Sequence, residues 1–214
     1  DEMTAGKYPS CTEYWLNTED MTFRGEFEAM YGDIEDPWGC AAVVDSLNNR
    51  LFLELVFHER GFAGILDVGC GLGAFTKKVQ ERQPQARVAG CDISATAVRK
   101  AKAAYPEIDF FVLDIQKGEI PAGQYDLIIL SEVLWYILDN VGAVFAKIRN
   151  ALRPNGVLAI HQYFPDEQRY GAEIICGVEG FDRFIESRTS FRYGRKAVSF
   201  GKWKGTVLLA TLEK

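Results

Sequence analysis

The run Ile65-Leu-Asp-Val-Gly69-Cys-Gly71-Leu-Gly73-Ala-Phe75 constrains this chain more than any other stretch. A short apolar segment, Ile65–Val68, passes into glycines at alternate positions. A helical pattern follows, with Phe75 and Val79 on one side and Lys77, Lys78, Glu81 and Arg82 on the other. Glycine admits the positive-φ turn that carries a buried strand directly into a helix. The unpaired N–H groups at that helix start, with the positive end of its dipole, suit an anionic or polar ligand. A strand, a glycine turn and a helix in this order form one half of a parallel crossover unit.

The alternation continues downstream. Arg87–Cys91 reads as a second strand, and Ser94 as the N-cap of a helix with Ala97, Val98 and Ala101 on one face, ended by Pro106. Asp109–Leu113 and Tyr125–Leu130 are further strands. A helix carrying Val144, Phe145, Ile148 and Leu152 then leads through Arg153-Pro154-Asn155-Gly156 into a strand at Val157–Tyr163. Upstream, Val44, Leu47, Leu51 and Leu55 recur at helical spacing from about Ala41 to Glu59, and Gly61 ends that helix. The end changes character: a polar helical segment near Arg169–Ser187 precedes the β-rich runs Ser190–Phe200 and Thr206–Glu213, joined by Gly201-Lys-Trp-Lys-Gly205. The expected fold is a single Rossmann-like, doubly wound α/β domain. Its seven-stranded sheet is mainly parallel and closes with a C-terminal antiparallel hairpin.

A length of 214 residues suits one domain of this kind. Five scattered cysteines without a CxxC spacing, and only His58 and His161, argue against a disulfide framework and a metal site. No charged-then-apolar leader is visible, nor an apolar stretch of the roughly 18 residues that a membrane span needs. The expectation is a cytoplasmic protein without a membrane partner. A net charge of -6 disfavours nucleic acid as partner. The charge is uneven: the first 36 residues are acidic, and Arg183, Arg188, Arg192, Arg195, Lys196, Lys202 and Lys204 make the last third basic. That basic stretch is either a solvated face or a surface for an anionic substrate group.

The glycine turn alone does not select a cofactor, because Gly69, Gly71 and Ala74 also satisfy the dinucleotide pattern of an NAD(P)-dependent oxidoreductase. Carboxylates do more. Asp67 stands two residues before Gly69, where it suits a cationic group such as an ammonium. Asp92 follows the second strand and suits a ribose diol, and Asp114 follows the third and suits an exocyclic amine.

Taken as a set, ILDVGCGLG, VAGCDIS, FFVLDI, YDLIILSEVLWYI and LRPNGVLAI resemble, in order and spacing, the motifs of class I S-adenosylmethionine-dependent methyltransferases. The resemblance covers roughly residues 40–214. Asp36-Pro37-Trp38-Gly39 and Leu130-Ser-Glu-Val-Leu-Trp-Tyr136 are similar to the NodS-like branch, whose nodulation members N-methylate an amino-sugar oligosaccharide. The resemblance implies that Asp67, Gly69, Cys70 and Gly71 hold the methionine part of S-adenosylmethionine. Asp92 and Ile93 then take the ribose and adenine, and Asp114 and Ile115 flank the adenine ring. Ser131 and Glu132 line the junction with the acceptor. Residues 1–39 are expected to form an aromatic, acidic lid, with Trp38 at the cofactor, and residues 40–214 the methyltransferase domain.

Transfer from a sulfonium is an in-line displacement, in which alignment supplies much of the catalysis and a base removes the acceptor's proton where one must leave. His161, at the end of the fifth strand, is the first candidate base, with a hydrogen-bonded structural histidine as the alternative; Glu132 is the second. Trp135, Tyr136, Gln162, Tyr163 and Arg169 are candidate substrate contacts for a sugar or other small polar metabolite. His58, in the last turn of a helix, is expected to be structural. Competing readings are an oxidoreductase, which leaves Asp67 and Asp114 unexplained, and a catalytically silent cofactor-binding protein.

Overall fold

The computed structural model describes residues 6–200 and 204–214. Gly201, Lys202 and Trp203 of the expected hairpin connection lie outside the described residues. The N-terminal segment folds as α1 (Cys11–Trp15), a two-stranded ribbon of β1 (Leu16–Asn17) and β2 (Thr22–Phe23), and α2 (Phe27–Asp33). Its interior is aromatic: Tyr14, Phe27, Met30 and Tyr31 are buried together with Ala97.

The single helix expected over 41–59 is two helices, α3 (Cys40–Val43) and α4 (Leu47–Phe57). Ser46 divides them, because its hydroxyl accepts from the Asn49 N–H at 3.3 Å and caps a new N-terminus. The buried face also differs from the expected one. Leu47 and Leu51 are 61% and 44% exposed, whereas Phe52 and Val56 are at 0% and 2%. Helix α4 is apolar nearly all round, so spacing alone does not choose its face. The larger Phe52 ring wins the interior, stacked 6.1 Å from Phe75.

Then follow β3 (Gly64–Val68), α5 (Ala74–Arg82), β4 (Arg87–Asp92), α6 (Ala95–Ala104), β5 (Asp109–Val112), β6 (Tyr125–Ser131), α7 (Val141–Ala151), β7 (Leu152–Pro165), α8 (Gly177–Arg188), β8 (Arg192–Phe200) and β9 (Gly205–Glu213). The expected α8 region begins later than Arg169, and Ser94 caps α6 as expected, accepting from Ala97 N–H at 3.1 Å. The main sheet has the order β5-β4-β3-β6-β7-β9-β8. Strands β3 to β7 pair in parallel, and β9 pairs antiparallel with both β7 and β8.

Both faces are covered. Helices α4 and α5 pack Phe52, Val56 and Val79 on Ile65, Leu127 and Ile129, and α7 and α8 pack Phe145, Ile148, Phe181 and Phe184 on Leu66, Ile128 and Leu158. Each large side chain so buried contributes about 1.5–3 kcal/mol. The chain leaves β3 toward β4 and β5 on one side, and returns to β6 and β7 on the other. The C-terminal ends of β3 and β6 therefore flank the switch point where ligands bind in open α/β sheets. The basic C-terminal residues are partly committed: Arg195 donates to Leu55 O and pairs with Glu59, and Lys196 pairs with Asp182 at 2.6 Å. No described helix is long and apolar enough to cross a membrane.

Candidate active site

The first half of the site is the turn after β3. Gly69 and Cys70 donate their N–H groups to Cys91 O at 2.7 and 3.0 Å, which pins the turn to β4. Gly71 N–H donates to Asp92 Oδ2 at 2.9 Å, and Asp92 Oδ1 accepts from Ser94 N–H at 2.9 Å. Gly71 has φ +53, and a Cβ there would lie 2.8 Å from the Tyr31 hydroxyl, so only glycine allows the N-terminal segment to close on the turn.

Asp67 is buried and accepts from the Thr76 hydroxyl at 2.6 Å. Burial, reinforced by the nearby Asp92 charge, pushes its carboxyl up to about 7 against the Thr76 hydrogen bond. Burial raises Asp92 as well. Two buried carboxylates side by side are an unfavourable arrangement that a cationic ligand relieves. Ile93, 43% exposed, presents an apolar surface beside Asp92. Asp114 accepts from Gln116 N–H at 3.0 Å and pairs with Lys117 at 3.1 Å. Ile115 is buried in the core at 6%, so Ile93 is the apolar side chain displayed at this end. An unexpected contributor is Lys147 of α7, which donates to the carbonyls of Gln116 and Gly118 at 2.9 Å each and so fixes the turn that carries Asp114.

The N-terminal segment reaches this cradle through α2. Glu28 accepts from Ser94 Oγ at 2.6 Å and from Thr96 Oγ1 and N–H at 2.7 and 3.1 Å, sealing the start of α6. Lys100 donates to Tyr31 O at 2.8 Å at the other end of α2. Trp38 donates its indole N–H to the Tyr31 hydroxyl at 3.1 Å. Trp38 thus meets the glycine turn through Tyr31, a residue of the aromatic N-terminal segment that was not among the expected site residues.

The second half lies at the ends of β6 and β7. Ser131 Oγ is 3.2 Å from His161 Nδ1, and Glu132 Oε1 is 3.8 Å from His161 Nε2. Glu132 adopts φ +58, unusual for a residue with a Cβ, and this turns its carboxylate back over β7. There it accepts from Gln162 Nε2 at 3.0 Å and from Tyr163 N–H at 3.1 Å. Its side chain is 44% exposed, yet the surrounding protein pushes the carboxyl up to about 7, opposed by the Tyr163 N–H. His161 is buried, its ring 5.4 Å from Phe52, and burial lowers its pKa to about 4. A neutral imidazole of that basicity accepts a proton poorly at neutral pH.

The expected substrate contacts separate. Successive residues of β7 point to opposite faces. Gln162 is 1% exposed and faces α7, while the Tyr163 hydroxyl donates to Lys204 O at 2.9 Å. Trp135 packs edge-on against Phe164 at 5.4 Å. Arg169 is exposed in the loop before α8. Tyr136 is the centre of an aromatic group, with Trp15 at 5.1 Å, Phe27 at 4.9 Å and Trp38 at 6.2 Å.

Comparison with known proteins accords with this geometry. Residues 65–156 match a family described as a methyltransferase domain. Trans-aconitate 2-methyltransferase of Azoarcus sp. strain BH72 is 40% identical over 98 residues, 46% of this chain and 38% of that protein. Malonyl-[acyl-carrier protein] O-methyltransferase of Acetivibrio thermocellus is 32% identical over 125 residues, 58% of this chain and 44% of that protein. The chain spans less than half the length of these curated relatives. Among solved structures, an S-adenosylmethionine-dependent methyltransferase of Mesorhizobium loti has a TM-score of 0.65 at 20% identity, covering 80% of this chain and 100% of that one. Residues 65–156 are thus similar to a methyltransferase domain, and the fold around them is that of S-adenosylmethionine-dependent methyltransferases of known structure. The fold is also similar to that of N-methyltransferase NodS of Bradyrhizobium japonicum WM9 in complex with S-adenosyl-L-homocysteine, with a TM-score of 0.67 at 22% identity over 85% of this chain and 93% of that one.

Proposed function

We propose that this chain is an S-adenosylmethionine-dependent methyltransferase that moves a methyl group to a nitrogen or oxygen of a small polar metabolite. The observation that carries the reading is the pair of buried carboxylates, Asp67 and Asp92, at adjoining strand ends beside an open glycine turn. A ligand with an ammonium, a sulfonium and a ribose diol matches that donor set, and the displayed Ile93 suits an aromatic base. When bound, S-adenosylmethionine supplies an electrophilic methyl group that an acceptor displaces in line from sulfur.

The residues of the chain have distinct tasks in this reading. Asp67 and the Gly69–Gly71 turn hold the amino-acid end, Asp92 the ribose, and the Asp114 turn the adenine. Tyr31 and Trp38, anchored through α2 on α6, act as a lid that excludes water. Glu132 removes the proton from an acceptor amine or hydroxyl, because its carboxylate is both accessible and poised near neutral pH. His161 and Ser131 flank it.

Amino sugars and other hydroxylated metabolites fit an aromatic wall such as that around Tyr136. The names of the curated relatives favour a second reading, a carboxylate acceptor, which loses no proton on methylation and leaves Glu132 without that task. Calorimetric titration with S-adenosyl-L-homocysteine, with NAD⁺ as control, tests the cofactor. Saturable binding of the first alone supports the proposal, and binding of NAD⁺ alone overturns it. A radiolabelled methyl-transfer screen over amino sugars, polyols and di- and tricarboxylates then separates the acceptors; no product from any of them favours a silent binding protein.

A further inference from the structure

Gln162 is almost wholly buried, and every hydrogen-bonding atom of its amide is committed. Its Oε1 accepts from Leu134 N–H at 3.1 Å, and its Nε2 donates to Glu132 Oε2 at 3.0 Å and to Tyr163 O at 3.1 Å. The orientation of the amide is dictated by its partners: Leu134 N–H only donates and so demands the oxygen, and the NH₂ group must then face the carboxylate. Leu134 lies two residues beyond Glu132, so one side chain ties down both the carboxylate and the backbone that follows it. The left-handed backbone of Glu132 would otherwise be costly, since it has no glycine to relieve it.

From this geometry we infer that Gln162 is a positioning residue: it fixes the rotamer of Glu132 and stabilises its ionised form at the open end of the sheet. The inference rests on the proposed role of Glu132 as the base that takes the acceptor's proton. Gln162 itself need not touch substrate. A donor held against a carboxylate oxygen favours the charged form, and a side chain closed in on all sides keeps that donor from turning away. The other titratable groups that face Glu132 are His161, Tyr136 and Tyr163. Burial holds His161 neutral, and burial, aided by the Glu132 charge, keeps both phenols protonated. None of the three changes charge between about pH 5 and 8, so a titration in that window reports Glu132.

The test is a ¹³C NMR titration of the unliganded protein labelled at the glutamate side-chain carboxyl, with the Glu132 signal assigned by its loss in Glu132→Gln. Gln162→Met removes the donor at similar length. Gln162→Glu keeps the volume and the acceptor for Leu134 N–H, but sets a carboxyl against Glu132. The titration midpoint of Glu132 is expected to rise by about one unit or more in Gln162→Met, and further in Gln162→Glu. A midpoint unmoved in Gln162→Met overturns the proposal, whatever its thermal stability, because a purely structural Gln162 would change stability alone. Should Gln162→Met fail to fold, Gln162→Leu, which likewise removes the donor without adding a charge, carries the same test. Calorimetry with S-adenosyl-L-homocysteine on the same samples is expected to give an unchanged Kd. Failure of the unsubstituted protein to bind it would sink the methyltransferase reading, while the coupling of Gln162 to Glu132 is read independently.

Discussion

Replacing Asp67 by asparagine should separate the demands of folding from those of the ligand. Asp67 is 2% exposed, and its carboxyl titrates at about 7 instead of the 3.8 of a free aspartate. The folded state therefore holds a proton that the unfolded chain has released over this interval, and stability falls as pH rises from about 4 to 7. The whole displacement corresponds to about 4 kcal/mol, of which about 2.5 kcal/mol develops between pH 5 and 8. Asparagine never ionises. Its amide can accept the Thr76 hydroxyl but leaves an N–H without a known partner, a penalty that is constant with pH. Urea denaturation of both proteins without cofactor, at pH 5, 6, 7 and 8, should show the variant gaining on the parent by about 2.5 kcal/mol across the series. The cofactor reverses the preference, because an ammonium needs the ionised carboxylate. Binding of S-adenosyl-L-homocysteine at pH 6 should release close to one proton per site, seen as a dependence of the apparent enthalpy on buffer ionisation heat. The variant should bind weakly and release none. A stability difference that is flat with pH, together with proton-neutral binding by the parent, would refute the assignment of Asp67.

Three further outcomes follow from the geometry. Glu132→Gln should lower kcat at least about 100-fold with an acceptor that must lose a proton, while His161→Ala keeps more than a tenth of it; the ratio of the two losses in a methyl-transfer assay decides between the bases. Lys147→Met removes the ammonium that organises the carbonyls around Asp114, so calorimetry should show a several-fold weaker Kd for S-adenosyl-L-homocysteine, with little change for methionine as probe. Phe52→Ala should cost about 3–5 kcal/mol in chemical denaturation and Leu51→Ala under about 1 kcal/mol, since only the first empties a core position. Equal losses would return the buried face of α4 to Leu51.

The sheet was legible because its strands are short apolar runs punctuated by glycine, proline and N-caps, all local signals. The cradle proposed for the cofactor rests on equally local signals: Asp67, Gly69 and Gly71 lie within a few residues of one strand end, and Asp92 directly closes the next. What the sequence hid is what depends on contacts between distant segments. Glu28 meets Ser94 across 66 positions and Lys100 meets Tyr31 across 69, and neither pair stands in a pattern that spacing reveals. Helix α4 misled for a different reason: apolar residues surround it, so its moment is weak and side-chain volume decides the face. At the end of β7 the alternation of the strand was the unused signal. It puts the side chains of His161 and Tyr163 on the face opposite that of Gln162, although all three residues meet Glu132 at the strand end.

That alternation bears on why the acceptor is harder to name than the cofactor. The stretch that matches the methyltransferase family ends at residue 156, before His161, Gln162 and Tyr163. In the proposed reading the cradle of β3, β4 and β5 answers to a ligand of fixed chemistry. In the same reading the end of β6 and β7 answers to the acceptor. Here one element of it is unusual in physical terms: a glutamate in a left-handed backbone, clamped by a buried amide and open on its remaining side. Such an arrangement costs conformational energy and persists because the surrounding hydrogen bonds over-determine the position of the carboxylate. The N-terminal segment, by contrast, is hydrogen-bonded to α6, and as the proposed lid it would belong mechanically to the cofactor half. Acceptor choice is therefore expected to follow Glu132, its clamp and the aromatic wall at Tyr136, with the cradle left unchanged. Substitutions around Glu132 should alter which acceptors are methylated while leaving S-adenosyl-L-homocysteine affinity intact, and a loss of both together would show that the two halves are not separable.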